Sequence, residues 1–278
     1  MPEPQTNVPQ GLQGDDPVVF LHGWCGHADE VESIRSAFPG RVLALSWMPA
    51  PGSFDLEAWP LQEDRAAGAA EECMRAFADD VLEGVRQKIL DAGFAGATLV
   101  GHSMGGGMSS VLAADPALAI KRLVLLDSST PILPDRRDGY IQKMVEWVDR
   151  AATAGRLVAQ AAWIAEASSW VPDFFSIEDQ GPMRLTIERR FLFAPVVEAA
   201  MTIGGGVQWP INESLASLGC EIHGLAGNPG RMPVDALREL RSDAEVEICD
   251  GAGHYVHRFA AERTRTWLEG IFSASATR

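Results

Sequence analysis

The sequence predicts an α/β protein with a mostly parallel sheet of about six strands, flanked by helices and interrupted by an all-helical insertion. Three observations carry this. Short apolar runs alternate with stretches of helical periodicity up to residue 127 and again from residue 220, the pattern of buried strands joined by right-handed helical crossovers. Between residues 128 and 219 the alternation stops, and about 90 residues follow with helical spacing alone. At residues 97–114 an apolar run, a glycine turn and a helix-like stretch meet.

In chain order, the reading is strand 17–22, helix 28–37, strand 41–47, helix 64–92, strand 97–101, helix 104–114 and strand 121–126. Gly93 and Asp115-Pro116 are the expected helix stops. After the insertion come strand 220–226, helix 233–241, strand 244–249 and helix 257–272. Residues 1–14 read as a mobile tail, 15–127 and 220–278 as one α/β core, and 128–219 as a helical cap over the sheet's C-terminal edge. A chain of 278 residues suits one such core with an insertion better than two domains. No internal repeat is visible.

The chemistry starts at Gly101-His102-Ser103-Met104-Gly105. A sharp strand-to-helix turn strains its central residue and lifts the hydroxyl clear of the sheet. The following helix aims its free N–H groups at the spot where negative charge develops in acyl transfer. Ser103 is therefore the candidate nucleophile. Upstream, Val18-Val19-Phe20-Leu21 runs into His22-Gly23-Trp24-Cys25-Gly26, a loop able to supply a second backbone donor. The amides of Trp24 and Met104 are assigned to one oxyanion. Downstream, Asp250-Gly251-Ala252-Gly253-His254-Tyr255 places a histidine in a glycine-flanked loop that can reach back over the sheet edge. His254 is the candidate general base. His102, His223, His27 and His257 are expected to serve the core or the rim.

These three segments, in this order, resemble the α/β-hydrolase superfamily over most of residues 17–275. The resemblance implies that His22 supports the oxyanion loop. It also implies an acid three residues beyond a glycine after the penultimate strand, yet that position is Gly230 here. The next carboxylate, Asp235, sits where it would complement a helix N-terminus. Some members carry the acid after the preceding strand, which here ends in Asp127-Ser128-Ser129. Asp127 is the preferred acid, Asp235 the alternative, and a Ser-His dyad the third reading.

The insertion carries four of the eight tryptophans, with Met144, Phe174, Phe175, Met183, Phe191, Phe193 and Met201. Most of these must form its own core, and a minority would line an apolar pocket. Trp163 and Trp209, with His22, are the candidate substrate-binding residues. Gly204-Gly205-Gly206 reads as a hinge or a loop, and Arg189-Arg190 as a solvated face or an anion contact.

Composition bounds the rest. Hydrophobic content of 46% with 22% charged residues is ordinary for a globular protein. A net charge of −15 disfavours nucleic acid and anionic membrane as partners. No run reaches the roughly eighteen apolar residues of a membrane span, and the N-terminus does not read as a leader. Cys25, Cys73, Cys220 and Cys249 show no paired spacing, so a reduced, cytoplasmic protein is expected. A homo-oligomer is left open. The expected activity is serine hydrolysis of esters or lactones of small to medium, mainly apolar substrates, with no metal or organic cofactor. C–C bond hydrolysis is an alternative. So is cofactor-free ring cleavage by a dioxygenase of this fold using His254 and Asp127.

Overall fold

The computed structural model describes residues 16–62, 65–171, 175 and 181–275. The expected tail, Phe174 and the first residue of the expected helix 64–92 lie outside them. Six parallel strands form one sheet in the order β2-β1-β3-β4-β5-β6. They are β1 (Val18–Leu21), β2 (Val42–Leu45), β3 (Thr98–His102), β4 (Arg122–Leu126), β5 (Glu221–Asn228) and β6 (Glu245–Asp250). Every residue of β1, β3 and β4 is buried, because helices cover both faces. The edge strands β2 and β6 are partly exposed, and β6, with three acidic residues, is the less apolar of the two. Register pairs Leu21 with Gly101 and His102 with Leu126, so β1, β3 and β4 end together. That shared C-terminal edge holds Ser103 and Asp127.

Helices α1 (Ala69–Asp91), α2 (Met104–Ala113), α3 (Pro134–Ala154), α4 (Arg156–Trp170), α5 (Pro182–Leu192), α6 (Val196–Gly206) and α7 (Ile211–Ser217) follow in order. After β5 come α8 (Val234–Leu240), α9 (Val256–Phe259) and α10 (Ala261–Ser275). Two expected helices are built differently. Residues 28–37 form two 3₁₀ turns, Ala28–Ser33 and Arg35–Ala37, broken at Ile34 with φ −126°. Their buried residues Val31, Ile34 and Ala37 recur every third position, the repeat of a 3₁₀ helix rather than an α-helix. The expected C-terminal helix splits at Ala260 (φ −120°, ψ 42°) into α9 and α10.

Among the described residues of the insertion the regular elements are all helices, α3 to α7. Gly204, Gly205 and Gly206 are neither hinge nor loop: they form the buried last turn of α6. A Cβ on Gly205 would stand 2.0 Å from the carbonyl oxygen of Met74 on α1. Small residues let the two helix backbones touch there. Buried Glu198 on α6 accepts from the amides of Gly52 and Phe54 and from Arg156, tying the helix to the loop after β2. Trp209 donates Nε1–H to Asp79 of α1 at 2.9 Å. No helix among the described residues is long and apolar enough to cross a membrane.

Candidate active site

Ser103 stands between β3 and α2 with φ 52° and ψ −121°, a conformation a side chain rarely adopts. Close packing forces it. A Cβ on Gly105 would come within 2.2 Å of the Leu21 carbonyl oxygen, so α2 starts directly against β1. Ser128 donates its hydroxyl to the Ser103 carbonyl at 2.8 Å and holds the turn from the β4 side.

His254 Nε2 lies 2.9 Å from Ser103 Oγ, and its Nδ1 lies 2.6 Å from Asp127 Oδ2. With Nδ1–H donated to the carboxylate, Nε2 is free to accept the serine proton. Asp127 is fully buried and has φ 38°. Its carboxylate also accepts the backbone N–H groups of Gly227 (2.9 Å), Arg231 (2.8 Å) and Met232 (3.3 Å). A buried charge needs such partners, since unpaired it would cost several kcal/mol.

The loop after β5 therefore contributes amides rather than an acid. A Cβ on Gly230 would sit 2.5 Å from Asp127 Oδ1 and 2.3 Å from the Gly227 carbonyl oxygen. The Asp127 carboxylate fills the space a side chain at 230 would need. Asp235 is exposed in the first turn of α8, away from His254, where it complements the helix N-terminus.

A cavity of about 310 Å³ opens over Ser103 and His254. Trp24, Met104, Trp147, Trp163, Phe191 and Trp209 are among its walls. Trp163 meets Trp24 and Trp147 edge-on at 5.4 and 5.3 Å and donates Nε1–H to the Phe191 carbonyl. Both Trp163 and Trp209 thus line the cavity and pack the insertion. Met183 and Phe193, by contrast, are exposed. A larger, more open groove beside His223, Glu245 and Arg263 contains none of Ser103, His254 or Asp127.

His22 does not reach the cavity. It is buried, donates Nδ1–H to the Gly23 carbonyl at 2.7 Å and accepts the Trp47 amide at Nε2, with the Trp47 ring stacked on it. Burial pushes its pKa down to about 4. It braces the loop that carries Trp24. Behind the nucleophile turn, His102 donates Nε2–H to the His254 carbonyl at 3.0 Å. Glu30, His102 and His257, all buried, bring their ligand atoms within 4.8 Å of one another, the sole such group among the described residues. Burial also drives both imidazoles well below their usual range. His257, expected near the rim, lies in this cluster instead. His27 caps the first 3₁₀ turn, and His223 sits between Glu221 and Glu245. Arg190 pairs with Asp29 at 2.6 Å and borders a separate groove with Arg189. Buried Cys25, its thiol pushed well up by desolvation, behaves as a small apolar residue.

Sequence reasoning missed four groups here: Ser128, Glu30, Tyr255 of the cavity wall and the cations of α3. The last had a legible signal. Arg136, Tyr140, Lys143, Met144 and Trp147 share a helical face and all line the cavity.

Residues 18–266 match the model of the alpha/beta hydrolase family, and the chain belongs to that family. No curated protein matches the sequence. Among solved structures, the chain is similar to MenH from S. aureus, at 17% identity and TM-score 0.64 over 99% of this chain and 97% of that one. It is similar to a thermophilic esterase from Thermogutta terrifontis, at 18% identity and TM-score 0.67 over 93% and 90%. The enol-lactonase from Burkholderia xenovorans LB400 gives 16% identity and TM-score 0.67 over 94% and 92%. At such identities the likeness concerns the fold.

Proposed function

We propose that this chain is a serine hydrolase of carboxylic esters or lactones, acting on small to medium, mainly apolar substrates through an acyl-enzyme on Ser103. One observation carries the reading: an unbroken hydrogen-bonded chain from Asp127 through His254 to Ser103, with spacings of 2.6 and 2.9 Å. In this reading His254 takes the Ser103 proton as Oγ attacks the acyl carbon. Asp127 holds the tautomer and stabilises the imidazolium. The amides of Trp24 and Met104 receive the oxyanion; Met104 opens α2, where helix N–H groups have no intrahelical partner. His254 then protonates the leaving group and activates the water that releases the acyl group. The helical insertion acts as a cap, its tryptophans taking the apolar part of the substrate. Structural neighbours that include an esterase, an enol-lactonase and an N-acyl homoserine lactone degrading enzyme fit this bond class.

A fluorophosphonate probe tests it. The expected result is one covalent adduct at Ser103, lost in Ser103→Ala, and turnover of a p-nitrophenyl ester series lost in the same variant. No adduct on folded protein would overturn the reading. Oxygen uptake on hydroxyquinolones that survives Ser103→Ala would transfer it to the ring-cleaving class.

A further inference from the structure

Glu30 is a fully buried carboxylate whose polar neighbours all stand at long distances. Its Oε1 accepts the His27 amide at 3.2 Å and lies 3.5 Å from Arg190 Nη1, in a guanidinium already bound to Asp29 at 2.6 Å. Its Oε2 faces two imidazoles instead, Nε2 of His257 at 3.3 Å and Nδ1 of His102 at 3.7 Å. The three residues belong to the first 3₁₀ turn, the end of β3 and α9, and the fold gathers them behind the nucleophile turn.

A hydrogen bond from His257 accounts for one imidazole only. His102 gives its Nε2–H to the His254 carbonyl at 3.0 Å, so in the neutral ring Nδ1 carries a lone pair. That nitrogen is buried, has no hydrogen-bond partner, and faces the carboxylate oxygen. Two acceptors turned toward each other in a dry interior are costly. Protonating Nδ1 does not repair this, because 3.7 Å is too long for a hydrogen bond. A metal ion fits the gap. Bonds of about 2.1 Å would put roughly 104° between Oε2 and His257 and roughly 124° between Oε2 and His102, either side of the tetrahedral angle. Two imidazoles and one carboxylate suit zinc, whereas calcium and magnesium take oxygen ligands. His102 also has the tautomer a metal ligand needs, its other nitrogen donating to a carbonyl. The glycines of the oxyanion loop clear the space: a Cβ on Gly23 would stand 2.9 Å from His102 Nδ1, and one on Gly26 2.7 Å from Glu30 Oε1.

We propose that Glu30 Oε2, His102 Nδ1 and His257 Nε2 bind one zinc ion. His257 then holds its proton on Nδ1. The ion's part is structural: by fixing His102 it fixes the His254 carbonyl, and so the backbone of the histidine beside Ser103. The site stands whether or not Ser103 is a nucleophile.

The test uses the full chain, purified from zinc-supplemented medium through a tag without histidines. Elemental analysis after gel filtration should find one equivalent of zinc. X-ray absorption at the zinc edge should find two imidazoles among its nearest neighbours, and protein grown on cobalt should show the visible bands of four-coordinate cobalt. Zinc retention should fall about tenfold or more in Glu30→Gln and in His257→Gln. It should be unchanged in His223→Gln, which removes the histidine between Glu221 and Glu245 at the surface. Added zinc should raise the melting temperature of metal-depleted unmodified protein and leave that of Glu30→Gln unmoved. Folded protein without retained zinc would overturn the proposal. So would a zinc environment with one imidazole or none, a result read on the unmodified chain even where a variant fails to fold. Zinc lost in His223→Gln but kept in Glu30→Gln would place the ion at the surface and overturn it equally.

Discussion

At the scale of single residues, Asp127 has the largest consequence. Its carboxylate is held by three amides and orients His254 by a 2.6 Å hydrogen bond. Asp127→Asn keeps the shape but turns a nitrogen or the wrong tautomer toward the imidazole. Its kcat on any turned-over ester is expected to fall about 10³–10⁴-fold. Asp235→Asn, on the exposed first turn of α8, should change kcat by a few-fold at most. The reverse ranking would restore the usual acid loop, and two small effects would mean a dyad. The legibility of this site was uneven. Ser103 and His254 announce themselves because their turns need local glycines. The acid was ambiguous because its reason is non-local: Gly230 is a glycine because a residue 103 positions earlier occupies the space beside it.

At the scale of elements, the insertion is pinned as well as packed. Glu198 ties α6 to the loop after β2, Trp209 ties the α6–α7 corner to α1, and Gly205 seats α6 on Met74. Under the proposed hydrolase function, preference for the apolar part of the substrate is set by a fixed wall. Trp163→Phe trims that wall while keeping most of the ring packing against Trp24 and Trp147. It should raise KM several-fold more for long acyl chains than for acetyl, because remote contact is mostly uniform binding. Equal losses of kcat and kcat/KM across the series would mean that Trp163 acts through the fold alone. Periodicity placed these helices well. It did not distinguish α6's glycines as a packing surface from a hinge, since that depends on the partner helix.

At the scale of the whole molecule, burying neutral histidines couples stability to pH. His22 has a folded pKa of about 4 against 6.5 in the unfolded chain. The unfolded state therefore binds the extra proton, and stability is lost as pH falls from 6.5 toward 4. That difference corresponds to about 3 kcal/mol for His22. His102 and His257, shifted in the same direction, add to the loss below pH 6.5. Urea unfolding from pH 7.5 to 4.5 should show a flat stability above neutrality and a steep decline below, with more than one proton taken up on unfolding. A stability that stays level down to pH 5 would mean that these imidazoles are already charged in the fold.

By itself, the sequence determined the α/β class, the six strands, the helical insertion and the pair Ser103–His254. Each is written in local signals: short apolar runs, helical periodicity and glycine turns. Tertiary structure alone decided which carboxylate serves His254, since β4, the β5 loop and the β6 loop meet at one sheet edge though far apart in the chain. It alone decided that His22 braces a loop, that His257 turns inward to Glu30, and that the cations of α3 face the cavity. Each depends on what lies opposite a side chain, and burial and charge pairing are properties of contacts that a linear pattern does not contain.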